Sequence, residues 1–151
     1  MTAASLVQGL NSLRPHKIVI GSPYAEDIEA AERDYFVRAG FEVLASRGLG
    51  ITNSRQLADP NAADIYRFAR SIWVTSADAL VLTCANFRSH YVIKALDADL
   101  GCPVVVSTHA TLWRALRLAR VAESLSGLGQ LLRRRRSELG RVAVVNNRGK
   151  A

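Results

Sequence analysis

Residues 17–21 read Lys17-Ile18-Val19-Ile20-Gly21, three aliphatic β-formers in a row with no polar residue between them. A strand with one wet face alternates apolar and polar side chains. An unbroken run fits a strand covered on both faces, as in a parallel sheet sandwiched between helices. Three more runs have this character: Phe41–Ala45 (FEVLA), Ala79–Cys84 (ALVLTC) and Pro103–Ser107 (PVVVS).

The intervening stretches have helical spacing. Ala25–Ala39 places Ile28, Ala31, Tyr35 or Phe36 and Ala39 on one face and Glu26, Glu29 and Arg33 on the other, with Gly40 as its stop. Asn61–Ser76 repeats the pattern through Ile65, Phe68, Ala69, Ile72 and Trp73. Arg88–Leu100 does so through Val92, Ile93, Leu96 and Leu100, and Thr111–Val121 through Leu112, Leu116 and Leu118. Ala3–Leu13 reads as an opening helix. Strands alternating with helices predict an α/β three-layer sandwich around a four-stranded parallel sheet with flavodoxin-like strand order. Val142–Val145 (VAVV) is a candidate fifth strand.

At 151 residues the chain has the length of one domain. No apolar run approaches the roughly 18–20 residues of a membrane span, and no signal peptide is expected, because no basic start precedes a long apolar stretch. Two cysteines, Cys84 and Cys102, make no disulfide framework, so the expected location is a reducing cytoplasm. The net charge of +7 is unevenly spread. From Leu132 onward stand seven bases, Arg133–Arg136 among them, against the single acid Glu138; the rest of the chain holds 13 bases and 12 acids. The expected division is therefore one α/β domain over 1–132 and a basic tail over 133–151. Any nucleic-acid function would have to live in that tail, which reads more simply as a solvated end.

Ligands of open parallel sheets bind beyond the carboxyl ends of the strands. There the four runs deliver Gly21-Ser22-Pro23-Tyr24; Ser46-Arg47-Gly48-Leu49-Gly50, leading to Asn53 and Ser54; Thr83-Cys84-Ala85-Asn86; and Ser107-Thr108-His109. Hydroxyls, an amide, a phenol and a thiol converge, and no carboxylate sits at any strand end. Cys84 stands out. It closes a buried strand just before an expected helix, where free N–H groups and the helix dipole would activate a thiol as nucleophile or acid/base; the plainer reading is a buried cysteine packing as a small hydrophobe. Cys102 starts a strand at the opposite edge and reads as structural. Of the histidines, His16 lies at the wrong edge, His90 falls in a helix and only His109 has a view of the site. Their spacing makes no metal site, and no dinucleotide fingerprint or P-loop occurs, so no cofactor is expected.

Taken together, Gly21–Tyr24, Ala39–Ile51, Asp78–Ser89, Leu100–Arg117 and Gly127–Arg133 resemble, in order and spacing, the second half of the aspartate/glutamate racemase superfamily, in its branch of maleate cis-trans isomerases and arylmalonate decarboxylases. The resemblance implies cofactor-independent chemistry at carbons next to carboxylates, with two facing α/β halves that each contribute a thiol site. By that resemblance Cys84 matches the second-half thiol, Tyr24 the tyrosine whose hydroxyl holds a substrate carboxylate, and Asn86 with Ala85 the donors that follow the thiol. Ser22, Asn53 and Ser54 fall in carboxylate-binding stretches, with Ser107, Thr108 and His109 as further candidates. Two departures stand out: Asn53-Ser54 occurs where the family often has Asp-Asn, and Thr108-His109 replaces a common Asn-Gln pair.

The expected function is thus an isomerase or decarboxylase of a small dicarboxylic acid, completed by a second subunit, for which a homodimer would serve. The competing readings are a catalytically inactive half-enzyme and a module binding nucleic acid or an acidic partner through its arginines.

Overall fold

The computed structural model describes residues 2–121 and 123–133. Four strands, β1 (Lys17–Tyr24), β2 (Glu42–Ile51), β3 (Ala79–Leu82) and β4 (Val104–Val106), form one parallel sheet in the order β2-β1-β3-β4. Six helices accompany them: α1 (Thr2–Leu13), α2 (Glu26–Arg38), α3 (Ala62–Ile72), α4 (Ile93–Leu100), α5 (Ser107–Leu118) and α6 (Gly129–Arg133). The expected three-layer fold and flavodoxin-like order are present; Val142–Val145 lies outside the described residues.

The unbroken apolar runs resolve into two faces because successive side chains of a strand point to opposite sides. Ile18 and Ile20 of β1, Ala79 and Val81 of β3 and Val105 of β4 join one core with Leu6 and Leu10 of α1, Phe36 of α2, Trp113 of α5 and Leu131 and Leu132 of α6. Val19, Leu80, Leu82, Val104 and Val106 face the other way, into a core built with Ile65, Ala69 and Ile72 of α3 and Ile93 and Leu96 of α4. The helix termini follow local chemistry. Asn61 and Asp64 form a reciprocal capping box at the start of α3. Gly101, at φ +65°, closes α4 in the left-handed conformation.

Five boundaries depart from the sequence reading. β1 continues to Tyr24 and β2 to Ile51, so Ser46–Gly50 is paired strand rather than loop, with Ile20 opposite Ser46 and Ser22 opposite Gly48. These partly to fully exposed residues carry no apolar run; backbone pairing with β1 keeps them in the sheet. α3 stops at Ile72, because Trp73 turns extended. The helix expected from Arg88 begins only at Ile93, after a 3-10 turn over Ser89–Tyr91. The helix expected from Thr111 begins four residues earlier, at Ser107.

Candidate active site

In the order β2-β1-β3-β4, the chain leaves β1 in one direction and β3 in the other, and a crevice opens between their carboxyl ends. Tyr24 closes β1, and Cys84 follows β3 by two residues. Both line a cavity of about 450 Å³ that α1 and α2 wall on one side and the start of α5 on another.

The turn after β3 is tightly determined. Thr83 N–H donates to the Gly21 carbonyl (2.9 Å), and Phe87 N–H donates to the Cys84 carbonyl (3.2 Å). Phe87 is buried edge-on against Phe68, and the Ser89 hydroxyl bonds the Phe87 carbonyl (3.1 Å). Between these anchors Cys84 adopts φ +74°, the left-handed region that L side chains rarely enter. Such strain persists only where the surroundings impose it, and it collects at functional sites. Burying Phe87 is also what delays the next helix to Ile93. The expectation that this helix presents its N-terminus to Cys84 is therefore corrected: the helix that starts at the cavity is α5.

That N-terminus is unusual in its own right. Ser107, the first residue of α5, is 1% exposed and lines the cavity, yet its Oγ has no hydrogen-bond partner among the described residues. The first N–H groups of any helix are unpaired within it and carry the positive end of its dipole. A buried hydroxyl without a partner beside such a terminus is a natural place for a ligand oxygen.

Opposite stands a group the sequence reading missed. Glu32 of α2 lines the cavity, and the Thr83 hydroxyl donates to its Oε2 at 2.9 Å. Burial pushes its carboxyl up to about 7, reinforced by the charge of Glu29 and partly opposed by the Thr83 hydrogen bond. The statement that no carboxylate reaches the site holds for the strand ends and fails for α2. A signal was available: Glu32 lies four residues after Ile28 and four before Phe36, on the face that the apolar spacing turns inward. Tyr24 is shifted upward as well, by burial first and then by its hydrogen bond to Cys84 and the charges of Cys84 and Glu32, so its phenol stays a neutral donor.

Of the other sequence candidates, Ala85 lines the cavity, and Asn86 beside it is exposed and does not. Ser22 is buried under Tyr24, its Oγ accepting from the Tyr24 N–H (3.4 Å). Asn53 and Ser54 are exposed beyond β2, where Asn53 caps a 3-10 turn by accepting from Arg55 N–H. Thr108 and His109 belong to the first turn of α5 and are not among the lining residues; the His109 ring meets the Leu128 carbonyl at 3.1 Å, and burial holds its pKa below the usual histidine value. Cys102 sits before β4, where burial and the charge of Asp97 push its thiol up to about 11. Among the described residues no three His, Cys, Asp or Glu side chains gather as a metal site, and no helix is long and apolar enough to cross a membrane.

Fold and site together define a flavodoxin-like α/β domain with a thiol at its switch point. Residues 1–132 match the family model for arylmalonate decarboxylase, and the chain belongs to that family. It is 25% identical over 132 residues to the maleate isomerase of Geobacillus stearothermophilus, covering 87% of this chain and 53% of that one. With the arylmalonate decarboxylase of Bordetella bronchiseptica it shares 24% identity, over 85% of this chain and 55% of the relative. Among solved structures, a cysteine-to-serine mutant of the Nocardia farcinica maleate cis-trans isomerase, carrying a covalently bound succinylcysteine intermediate, superposes with a TM-score of 0.82 at 25% identity, over 87% of this chain and 54% of that one. The chain thus spans about half the length of the curated relatives it matches.

Proposed function

We propose that the cavity binds a small dicarboxylate and that Cys84 acts on it in an isomerase or decarboxylase reaction of the maleate isomerase and arylmalonate decarboxylase type. The observation that carries this reading is the convergence of the Cys84 thiol, the Tyr24 phenol and the partnerless Ser107 hydroxyl on one cavity, at the start of a helix. One carboxylate would rest on Ser107 Oγ and the first amides of α5, and a second would take the Tyr24 O–H. Charge that develops on such a carboxylate when the adjacent carbon becomes anionic is then met by donors already in place. The thiol adds to an activated carbon or returns a proton to it, and neither step draws on a cofactor. Asn86, Asn53 and Ser54 stand outside this constellation and are not given roles in it. A second copy of the chain supplies the remaining wall, a reading supported by Ile28, which lines the cavity and is still 47% exposed.

Iodoacetamide labelling mapped by peptide mass, on species separated by sedimentation velocity, tests the proposal. Cys84 and Cys102 are comparably buried, 8% and 7% exposed, so accessibility alone predicts similar rates. The expected result is faster labelling of Cys84, slowed about fivefold or more by excess maleate, with Cys102 inert and unaffected. Equal, unprotected labelling overturns the substrate site. Protection in a strictly monomeric species removes the second copy and leaves the site.

A further inference from the structure

Glu32 is the one carboxyl among the described residues of the cavity wall, and no cationic side chain stands there to balance it. An entering dianion therefore meets either a fixed negative charge in a partly desolvated space, where repulsion is strong, or a protonated carboxyl whose O–H can donate to it. The carboxyl is held in place by the Thr83 hydroxyl on one oxygen, so it cannot simply swing into solvent without losing a hydrogen bond. Among the described residues its surroundings offer no alternative counter-charge. On α2 itself, Glu29 adds negative charge while accepting from the Ser46 hydroxyl of β2. β1 presents the Tyr24 phenol, the turn after β3 the Cys84 thiol, α1 the Thr2 hydroxyl and α5 the Ser107 hydroxyl.

We infer that Glu32 is a proton-linked gate on this cavity: a dicarboxylate binds only beside a protonated Glu32, so that binding to the ionised form takes up one proton. The inference rests on the carboxylate-site reading above and adds to it a residue that sets when the site accepts its ligand. The direction of the Glu32 shift agrees with this placement, since burial already favours the neutral form. With a free-protein value of about 7, the protonated share falls about tenfold between pH 6 and pH 8, and affinity follows it.

The test is isothermal titration calorimetry of the full chain with fumarate, whose two carboxyls stay ionised over this range, in buffers of differing ionisation enthalpy. The gate predicts close to one proton taken up per fumarate at pH 8, little uptake at pH 6, and affinity weaker by about tenfold at the higher pH. Glu32→Gln, an isosteric neutral donor, should bind fumarate with no uptake and no such pH dependence. Absence of proton uptake by the unaltered protein at pH 8 overturns the gate whether or not the variant folds. The same pH dependence surviving in Glu32→Gln also overturns it. If fumarate binds neither protein at pH 6, the carboxylate-site reading fails and the gate falls with it.

Discussion

The two edges of this sheet treat polar groups in opposite ways. At the amino edge two carboxylates are matched by backbone amides. The Asp78 carboxylate accepts from the His16 N–H (2.9 Å) and the Lys17 N–H (2.7 Å), and the Asp78 N–H returns a bond to the Lys17 carbonyl. Nearby, Asp97 takes the amides of Val104 (2.8 Å) and Gln130 (3.2 Å). At the carboxyl edge, among the described residues, a hydroxyl is left without a partner, a cysteine is held at positive φ and a half-buried carboxyl has no cation beside it. The first edge resolves its local conflicts and the second keeps them. That asymmetry separates the end of the sheet that holds the domain together from the end available for chemistry.

The comparison can be broken most forcefully at Gly48. A Cβ there would stand 2.1 Å from the Tyr24 carbonyl oxygen, a backbone atom that cannot yield like a side chain. Gly48→Ala should therefore cost about 3 kcal/mol in urea unfolding and displace Tyr24 from the cavity, abolishing maleate protection of Cys84. A variant of unchanged stability would show that the β1–β2 end is not a fixed platform.

Next is the pH dependence of stability, which should run in opposite directions at Glu32 and Asp78. Glu32 has its folded value raised to about 7, so it favours the folded state below its unfolded value, and that contribution is lost as pH rises through about 7. Glu32→Gln should accordingly stabilise the protein by about 1–2 kcal/mol at pH 8, after discounting for partial solvation, and by little at pH 5. Asp78 is shifted down, chiefly by the Lys17 amide and then by that of His16, so its contribution is present above its unfolded value and lost as pH falls through the folded one. Thermal melts of Glu32→Gln and Asp78→Asn across pH should show these two signs; parallel curves would erase the contrast.

The smallest effect isolates the strain at Cys84. Glycine carries no penalty at φ +74° and alanine does, although each removes the thiol. Cys84→Gly should be more stable than Cys84→Ala by about 1 kcal/mol in urea titration, whereas glycine is ordinarily the weaker residue. The reverse order would mean that the turn relaxes once the sulfur is gone.

These sites also mark how far the sequence could be read. The sheet was legible because Val19, Leu80 and Val105 leave no polar gap in their runs, and burial on two faces is what such runs require. The capping pair Asn61 and Asp64, which sets the start of α3, is a local signal that the apolar spacing does not carry. Beyond Ala45 the reading lost β2, since Ser46–Gly50 stays in the sheet through backbone pairing that leaves no mark on side-chain pattern. The start of α5 was missed because Ser107-Thr108-His109 has no apolar spacing of its own. Cys84, Tyr24 and Ser107 were within reach as strand-end residues. Glu32 carried a signal in its spacing to Ile28 and Phe36, but a charged residue on an amphipathic helix reads as solvent-facing until the cavity beside it is known.

One further feature governs how this chain comes together in time. Leu131 packs against the backbone of Gly9, where a Cβ would stand 3.1 Å from it, and Leu131 and Leu132 are buried in the same core as Leu6 and Leu10 of α1. The first helix is thus completed by side chains about 120 residues downstream, a contact of very high sequence separation. On the ribosome α1 emerges early and remains open on that flank until α6 has left the exit tunnel. A nascent chain stalled before Gly129 would carry the sheet's strands with one core unsealed.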